Sequence, residues 1–262
     1  MHTNLADGER HFRFERLTFR SQGQKLIGAV WIPAETTRPP PGILLLHGFP
    51  GVAPIMNDLA SSLCQAGFEP MIFHYRGCWG SGGRYSFLGA LTDARKALNV
   101  LIRRKEVDGE NIAVVGHSFG GLVAIHTATK SDNVKAVVAL CPVSSLTKHL
   151  MSPHRKVILR RGLPFVSGLA MKKALSEWET LSERYDPIDY VDQISPRPFL
   201  LIHGDRDDII PIECSTELLA RAQEPKEMTV INGADHIFAG KRGFVTGRAV
   251  DWLGSVLQGR QA

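Results

Sequence analysis

The 262-residue chain has few cysteines, and none of them forms a metal-binding or disulfide pattern. No CxxC pair occurs and the spacings are wide, so we expect reduced thiols, no metal site and no disulfide framework. The four are Cys64, Cys78, Cys141 and Cys214. No run of apolar residues reaches the length of about 18 that a membrane span needs, and the N-terminus lacks the apolar core of a signal peptide. We therefore expect a cytoplasmic protein without stable membrane insertion.

The chain also has only a small excess of positive charge. Lysine and arginine number 31 against 26 acidic residues, and no basic stripe interleaved with aromatics indicates nucleic-acid binding. The exception is residues 148–173, which hold seven cations and no carboxylate and are followed by six acidic residues between Glu177 and Asp192. Such a run is most often a solvated face, and the alternative is attraction of an anionic substrate or a membrane surface.

Short apolar runs alternate with amphipathic helical stretches, which predicts βα units around a mostly parallel sheet. Alternating patterns at 12–20 and 25–33 predict an antiparallel start. Six more strands are predicted at 42–48, 69–77, 111–116, 134–140, 197–204 and 226–233. Helices are predicted at 57–66, 88–105, 119–130, 212–222 and 244–257. We therefore expect one α/β domain over residues 1–262, with eight strands flanked by helices.

The stretch 143–195 interrupts this alternation. It is too long for a single crossover and carries its own helical pattern, at Met171, Leu175, Trp178 and Leu181. We therefore expect a small helical cap, the cap segment, inserted after the sixth strand. Ligands of parallel sheets bind beyond the carboxyl ends of the strands, so the residues that follow each strand are the candidates for chemistry.

A candidate nucleophile follows the fifth strand. Ser118 is the centre of a GxSxG motif, "GHSFG", between a predicted strand and a predicted helix. Small residues two positions before and after the serine let strand and helix approach closely around a strained turn, and the helix N-terminus favours a developing oxyanion. A serine in a structural turn is the alternative interpretation.

A serine hydroxyl needs a base, and the base needs an orienting carboxylate. His236, after the last strand, is the preferred base; His117, His47 and His203 fit structural roles better. Three acids follow the seventh strand, Asp205, Asp207 and Asp208. Asp207 is preferred from its place in the middle of the loop, Asp208 is its nearest rival, and Asp205 fits a turn. Asp235, adjacent to the histidine, fits a loop or capping role.

Backbone amides near the serine are the remaining requirement. The loop "HGFPG" after the third strand is flanked by glycines, which lets a backbone amide approach a substrate oxygen. We expect the N–H groups of Phe49 and Phe119 to form the oxyanion hole. An ordinary turn is the alternative for this loop.

Four motifs in this order, "HGFPG", "GHSFGG", "HGDRDDIIP" and "GADHIF", resemble the α/β-hydrolase family over essentially the whole chain. Within it, "HYRGCWGSGG" and "HGDRDDIIP" look like serine esterases, feruloyl-type esterases and the catalytic domains of prolyl-oligopeptidase-type enzymes. The resemblance implies that Asp207 is the acid. The serine differs from the aspartate of dehalogenases and epoxide hydrolases and from the cysteine of dienelactone hydrolases. The loop differs from the HGGG of hormone-sensitive-lipase-like esterases.

Together these features predict a carboxylesterase without a cofactor, acting on short-chain or aryl esters through an acyl-enzyme. Trp79, Phe165 and Trp178 are candidate pocket residues, although Phe165 and Trp178 also fit the core of the cap segment. The expected partner is a small-molecule ester, and a homo-oligomer is compatible with the sequence. A small serine peptidase or amidase is the alternative activity, and a non-catalytic binding protein of the same fold is a third interpretation.

Overall fold

The computed structural model of the protein describes residues 12–34, 36–51, 53–149 and 154–260. The first eleven residues, which belong to the N-terminus expected to lack a signal peptide, and residues 150–153 of the cap segment lie outside this range. Within it, no helix combines the length and the apolar character needed to cross a membrane.

Eight strands form one sheet in the order β1-β2-β4-β3-β5-β6-β7-β8. The pairs β1–β2 and β2–β4 are antiparallel and all later pairs are parallel. This confirms the predicted mostly parallel sheet with an antiparallel start. The strands are β1 (Phe12–Ser21), β2 (Gln24–Pro33), β3 (Pro41–Leu46), β4 (Glu69–Phe73), β5 (Asp108–His117), β6 (Val134–Leu140), β7 (Phe199–Gly204) and β8 (Lys226–Ile231).

Helices cover both faces of the sheet, and each face has its own apolar core. The interior strands β3 and β7 are buried along their whole length, as strands covered by helices on both faces require. Helix α3 is buried at all ten positions because it lies between the sheet and the segment that follows β6. The helices outside that segment are α1 (Pro54–Gln65), α2 (Phe87–Ile102), α3 (Phe119–Ala128), α7 (Glu213–Arg221) and α8 (Arg242–Gln258).

Three helices lie in the predicted cap segment, between β6 and β7. They are α4 (Leu146–His149), α5 (His154–Gly162) and α6 (Met171–Arg184), with 3-10 turns at Leu163–Phe165, Pro187–Asp189 and Val191–Ile194. Glu177 on α6 is buried and accepts hydrogen bonds from Ser86 Oγ and from the amide of Phe87 at 2.7 Å, at the start of α2. These bonds attach the segment to the α2 side of the sheet.

Three strands end earlier than their patterns predict: β3 at Leu46, β4 at Phe73 and β8 at Ile231. β4 ends at Phe73 because the chain then enters a loop, in which the Gly77 amide donates to Gly82 O at 3.0 Å. β8 ends at Ile231 because the chain turns at Gly233, whose φ of +72° is a conformation that favours glycine. Tyr75, beyond the end of β4, is still fully buried, so burial alone does not mark where a strand ends.

Candidate active site

Ser118 occupies the sharp turn between β5 and α3. Its φ of +57° and ψ of −123° are strained for a residue with a side chain, and such outliers concentrate at functional sites. The Ser118 amide donates to Leu140 O at 2.8 Å, which fixes the turn against the end of β6. The residue is 9% exposed, so the serine is held at the edge of the sheet with limited access to solvent.

The two glycines of the GxSxG motif are required by backbone contacts. A Cβ on Gly116 would overlap the carbonyl oxygen of Gly120, and a Cβ on Gly120 would overlap that of Leu46 at the end of β3. The close approach of strand and helix expected from the motif is therefore present, and it holds the serine in its strained conformation.

His236 and Asp207 are joined by a short hydrogen bond. His236 Nδ1 donates to Asp207 Oδ2 at 2.7 Å, across the loops that follow β7 and β8. This bond fixes the proton on Nδ1, so in the neutral ring Nε2 is left as an acceptor. His236 and Ser118 line the same cavity. The structure thus brings together the three residues that the sequence selected.

The side chain of Asp207 is fully buried and faces four donors. Its Oδ1 accepts from the amides of Ile209 at 2.9 Å and Ile210 at 2.8 Å, and its Oδ2 lies 3.3 Å from His203 Nε2 as well as 2.7 Å from His236. Burial raises the pKa of this carboxyl, but the hydrogen bonds from His203, His236 and the loop outweigh it and hold the pKa well below its usual range. Asp207 is therefore ionised at neutral pH.

The rival carboxylates have other surroundings. Asp205 accepts from the Gly233 amide at 2.6 Å and Asp235 from the Ala239 amide at 2.8 Å, so both stabilise loops, as their positions suggested. Asp208 is exposed and lines the cavity, but the carboxylate that bonds His236 is that of the preceding residue.

The remaining histidines considered above are structural. The ring of His117 packs against that of His236 at a tilt of 43°, with centroids 4.9 Å apart, and its Nε2 donates to the His236 carbonyl at 2.8 Å. Burial lowers the pKa of His117 to about 3, so this ring is neutral. His47 is fully buried, contacts Gly48 O through Nδ1, and has a pKa lowered by burial to about 3.

The loop after β3 lies directly against the serine. A Cβ on Gly48 would approach Ser118 Cβ to 3.0 Å, so the loop comes close enough to the serine that a side chain there would require a small shift. The amides of Phe49 and Phe119 donate no hydrogen bond to another residue in the described part of the chain. Two unpaired donors in the segments that adjoin the serine are available to an oxyanion.

The cavity at the serine has a volume of about 320 Å³ and mainly apolar walls. Buried side chains form its inner part: Phe87, Phe119, Val143, Leu146 and Trp178. Phe165 also lines it, at the exposed outer part. The prediction for Trp79 is wrong: it is 61% exposed, packs over Gly51 and lines a separate surface depression with Phe14 and Trp31. The loop after β4 turns this side chain away from the cavity.

Behind the site, one group of metal-ligating side chains comes together among the described residues. Ligand atoms of Cys141, His203 and Asp207 lie within 4.8 Å of one another. Both nitrogens of His203 already have hydrogen-bond partners, Ser215 Oγ at 2.7 Å and Ile210 O at 2.9 Å. The group therefore fits a hydrogen-bonded support for Asp207 better than a metal site. The position of Cys141 near Asp207 could not be predicted from sequence, because it depends on the pairing of β6 with β7.

The fold and this site define an α/β hydrolase, a hydrolytic class of enzyme. Residues 57–260 match the prolyl oligopeptidase family, so the chain belongs to that family.

Similar proteins include the uncharacterized protein YfhR of Escherichia coli O157:H7, which is 30% identical over 75% of this chain and 63% of its own length. The uncharacterized peptidase YtmA of Bacillus subtilis is 26% identical over 88% of this chain and 89% of its own length. Among solved structures, Est1E of Butyrivibrio proteoclasticus with bound ferulic acid superposes with a TM-score of 0.76 at 19% identity, covering 92% of this chain and 99% of that one. The match with YfhR leaves more than a third of that protein uncovered.

Proposed function

We propose that the protein is a carboxylesterase that works through an acyl-enzyme on Ser118. The observation that carries this proposal is the strained serine in one cavity with His236, whose Nδ1 bonds the buried carboxylate of Asp207. A base oriented in this way can take the serine proton, and its positive charge is stabilised by an ionised acid.

The reaction proceeds in two halves. Ser118 Oγ attacks the ester carbonyl while His236 Nε2 takes its proton, and the amides of Phe49 and Phe119 stabilise the oxyanion. His236 then returns the proton to the leaving alcohol as the C–O bond breaks. Water, deprotonated by His236, attacks the acyl-enzyme and releases the acid. Asp207 remains ionised throughout because its pKa lies below the usual range.

The size and polarity of the cavity support short-chain or aryl acyl groups. About 320 Å³ is at the small end of ligand sites, and the inner wall consists of aromatic and aliphatic side chains. The ferulic acid in the Est1E structure is an aryl acid, which is consistent with such a substrate.

The test combines active-site labelling with turnover. We expect a fluorophosphonate probe to label the wild type, and p-nitrophenyl butyrate to be hydrolysed; both are lost in Ser118→Ala. Ser131→Ala, beyond the other end of α3, is the matched control and keeps both. If Ser118→Ala is labelled as well as wild type, the assignment of the nucleophile is wrong.

A peptidase or amidase with the same residues is the second candidate, because the chain belongs to the prolyl oligopeptidase family and YtmA is described as a peptidase. Comparing p-nitrophenyl esters with aminoacyl p-nitroanilides separates the two activities. A higher kcat/KM on anilides would replace the esterase assignment while leaving the roles of Ser118, Asp207 and His236 intact.

A further inference from the structure

A cation lies in the wall of the cavity that contains Ser118 and His236. Arg161, near the end of α5, lines it together with Val157 and Ile158 of the same helix, and it is exposed. No ion pair joins Arg161 to a carboxylate in the described ranges. An unpaired guanidinium beside a reactive serine is available to an anionic group of a substrate.

The basic run identified in the sequence divides into paired and unpaired cations. Lys148 pairs with Glu217, Arg155 lies 3.8 Å from Glu179, and Lys173 lies 3.5 Å from Glu177. The others have no carboxylate partner among the described residues: Lys156, Arg160, Arg161 and Lys172. Three of these four are on α5, so positive charge that is not neutralised locally concentrates on the helix that borders the cavity.

The cavity has an apolar interior and a charged opening. Phe87 and Trp178 in the interior are almost fully buried, whereas Val157 and Phe165 are 43% and 63% exposed. Asp208 is the carboxylate exposed in this wall, and it opposes the binding of anions. A substrate that fits both parts is amphiphilic, with an apolar part inside and a charged part at the opening.

We propose that the substrate is an ester whose acyl group is apolar and whose alcohol carries an anionic group, which Arg161 binds at the opening. This inference rests on the proposed esterase function and concerns its substrate class. Hydrolysis breaks the bond between the acyl carbon and the alcohol oxygen. Water supplies the hydroxyl of the acid, and the anionic alcohol leaves with the proton from His236. The ion pair forms outside the buried interior, where a carboxylate, sulfonate or phosphate stays partly hydrated.

The experiment compares two esters that differ in one charge, 4-sulfonatophenyl butyrate and its neutral analogue 4-sulfamoylphenyl butyrate. We expect the ratio of their kcat/KM values to favour the anionic ester by about fivefold, the factor that a single exposed ion pair provides. The preference arises mainly from a lower KM. In Arg161→Gln we expect the ratio to fall to about one, and in Asp208→Asn to increase. Lys172→Gln, an exposed cation on α6 outside the cavity, should leave the ratio unchanged.

The outcomes separate this inference from the proposed function. If both esters are hydrolysed with the same ratio in wild type and in Arg161→Gln, the assignment of Arg161 is wrong and the esterase stands. If neither ester is hydrolysed and Ser118 is not labelled by a fluorophosphonate, the proposed function itself fails. A third outcome would overturn the substrate proposal by assigning α5 to a membrane surface. In it, the wild type co-sediments with phosphatidylglycerol vesicles and Arg161→Gln does not, while the kcat/KM ratio of the two esters is the same in both proteins.

Discussion

The carboxyl edge of the sheet and the cap segment border the same cavity but are held in different ways. At the sheet edge, Ser118 and His236 are at least nine-tenths buried, and the Asp207 carboxylate is enclosed by four donors. On the cap side, Val157 and Phe165 are 43% and 63% exposed, although Trp178 of the same segment is buried. We propose that the sheet edge carries out the reaction and that the cap segment determines which substrate enters, a division that mutants on the two sides can test.

The largest effect on activity is expected at the two adjacent histidines of the sheet edge, His236 and His117. His236→Ala removes the proposed base, and we expect kcat/KM for p-nitrophenyl butyrate to fall by about 10⁴-fold. His117→Phe keeps the ring contact but removes the hydrogen bond to the His236 carbonyl, so we expect a loss of about fivefold. Steady-state kinetics of both variants measure this difference. Comparable losses in the two variants would show that His236 is not specifically the base.

Backbone packing at the same edge gives the next effect. In Gly120→Ala the new methyl group overlaps the Leu46 carbonyl, and we expect about 3 kcal/mol lower free energy of unfolding in urea. Gly247→Ala, inside α8 with no atom within 4 Å of the added carbon, should raise it by about 0.5–1 kcal/mol. A small loss of unfolding free energy in Gly120→Ala would mean that the backbone of the sheet edge can adapt to the added methyl group.

Much of the sheet edge could be predicted from sequence because its functional residues occur in short motifs that can be recognised without knowledge of the rest of the fold. Gly116 is required by a contact with Gly120 inside the same strand–turn–helix unit, so "GHSFG" is interpretable by itself, although Gly120 is also required by the Leu46 carbonyl of β3. The strands were predicted within a few residues of their observed ends for the same reason: burial on both faces is visible as an apolar run.

The contacts of the cap segment were less predictable, because they depend on distant parts of the chain. Glu177 is an ordinary helix residue in sequence, yet it bonds the start of α2 some ninety positions earlier. Spacing also could not separate Asp207 from Asp208, since one position decides whether the side chain bonds His236 or faces the cavity. Trp79 was misassigned because the course of the loop after β4 depends on packing against Gly51.

An intermediate effect is expected from pH at Asp207. Because its pKa is lowered in the folded protein, the ionised form stabilises the fold fully above its ordinary pKa of about 3.9 and less as pH falls below that value. In urea unfolding between pH 7 and pH 3, we expect the wild type to lose about 1.3 kcal/mol more than Asp207→Asn, because at pH 3 the carboxyl is mostly protonated in the unfolded chain and still ionised in the folded one. Asp251→Asn, at an exposed position of α8, should follow the wild type. Parallel curves for wild type and Asp207→Asn would contradict the buried, ionised carboxylate.

The smallest effect is expected on the cap side, at Glu177. Glu177→Gln replaces one acceptor oxygen by a donor opposite the Ser86 hydroxyl and the Phe87 amide, so we expect about 1 kcal/mol lower stability. Trp178 and Phe87 line the cavity next to this attachment, so KM for p-nitrophenyl butyrate should rise a few-fold while kcat stays within about twofold, because the sheet edge is not disturbed. Glu183→Gln, at an exposed position of the same helix, is the matched control and should change neither value. A fall in kcat with an unchanged KM would show that the cap segment takes part in the reaction itself, and the division between the two regions would then be wrong.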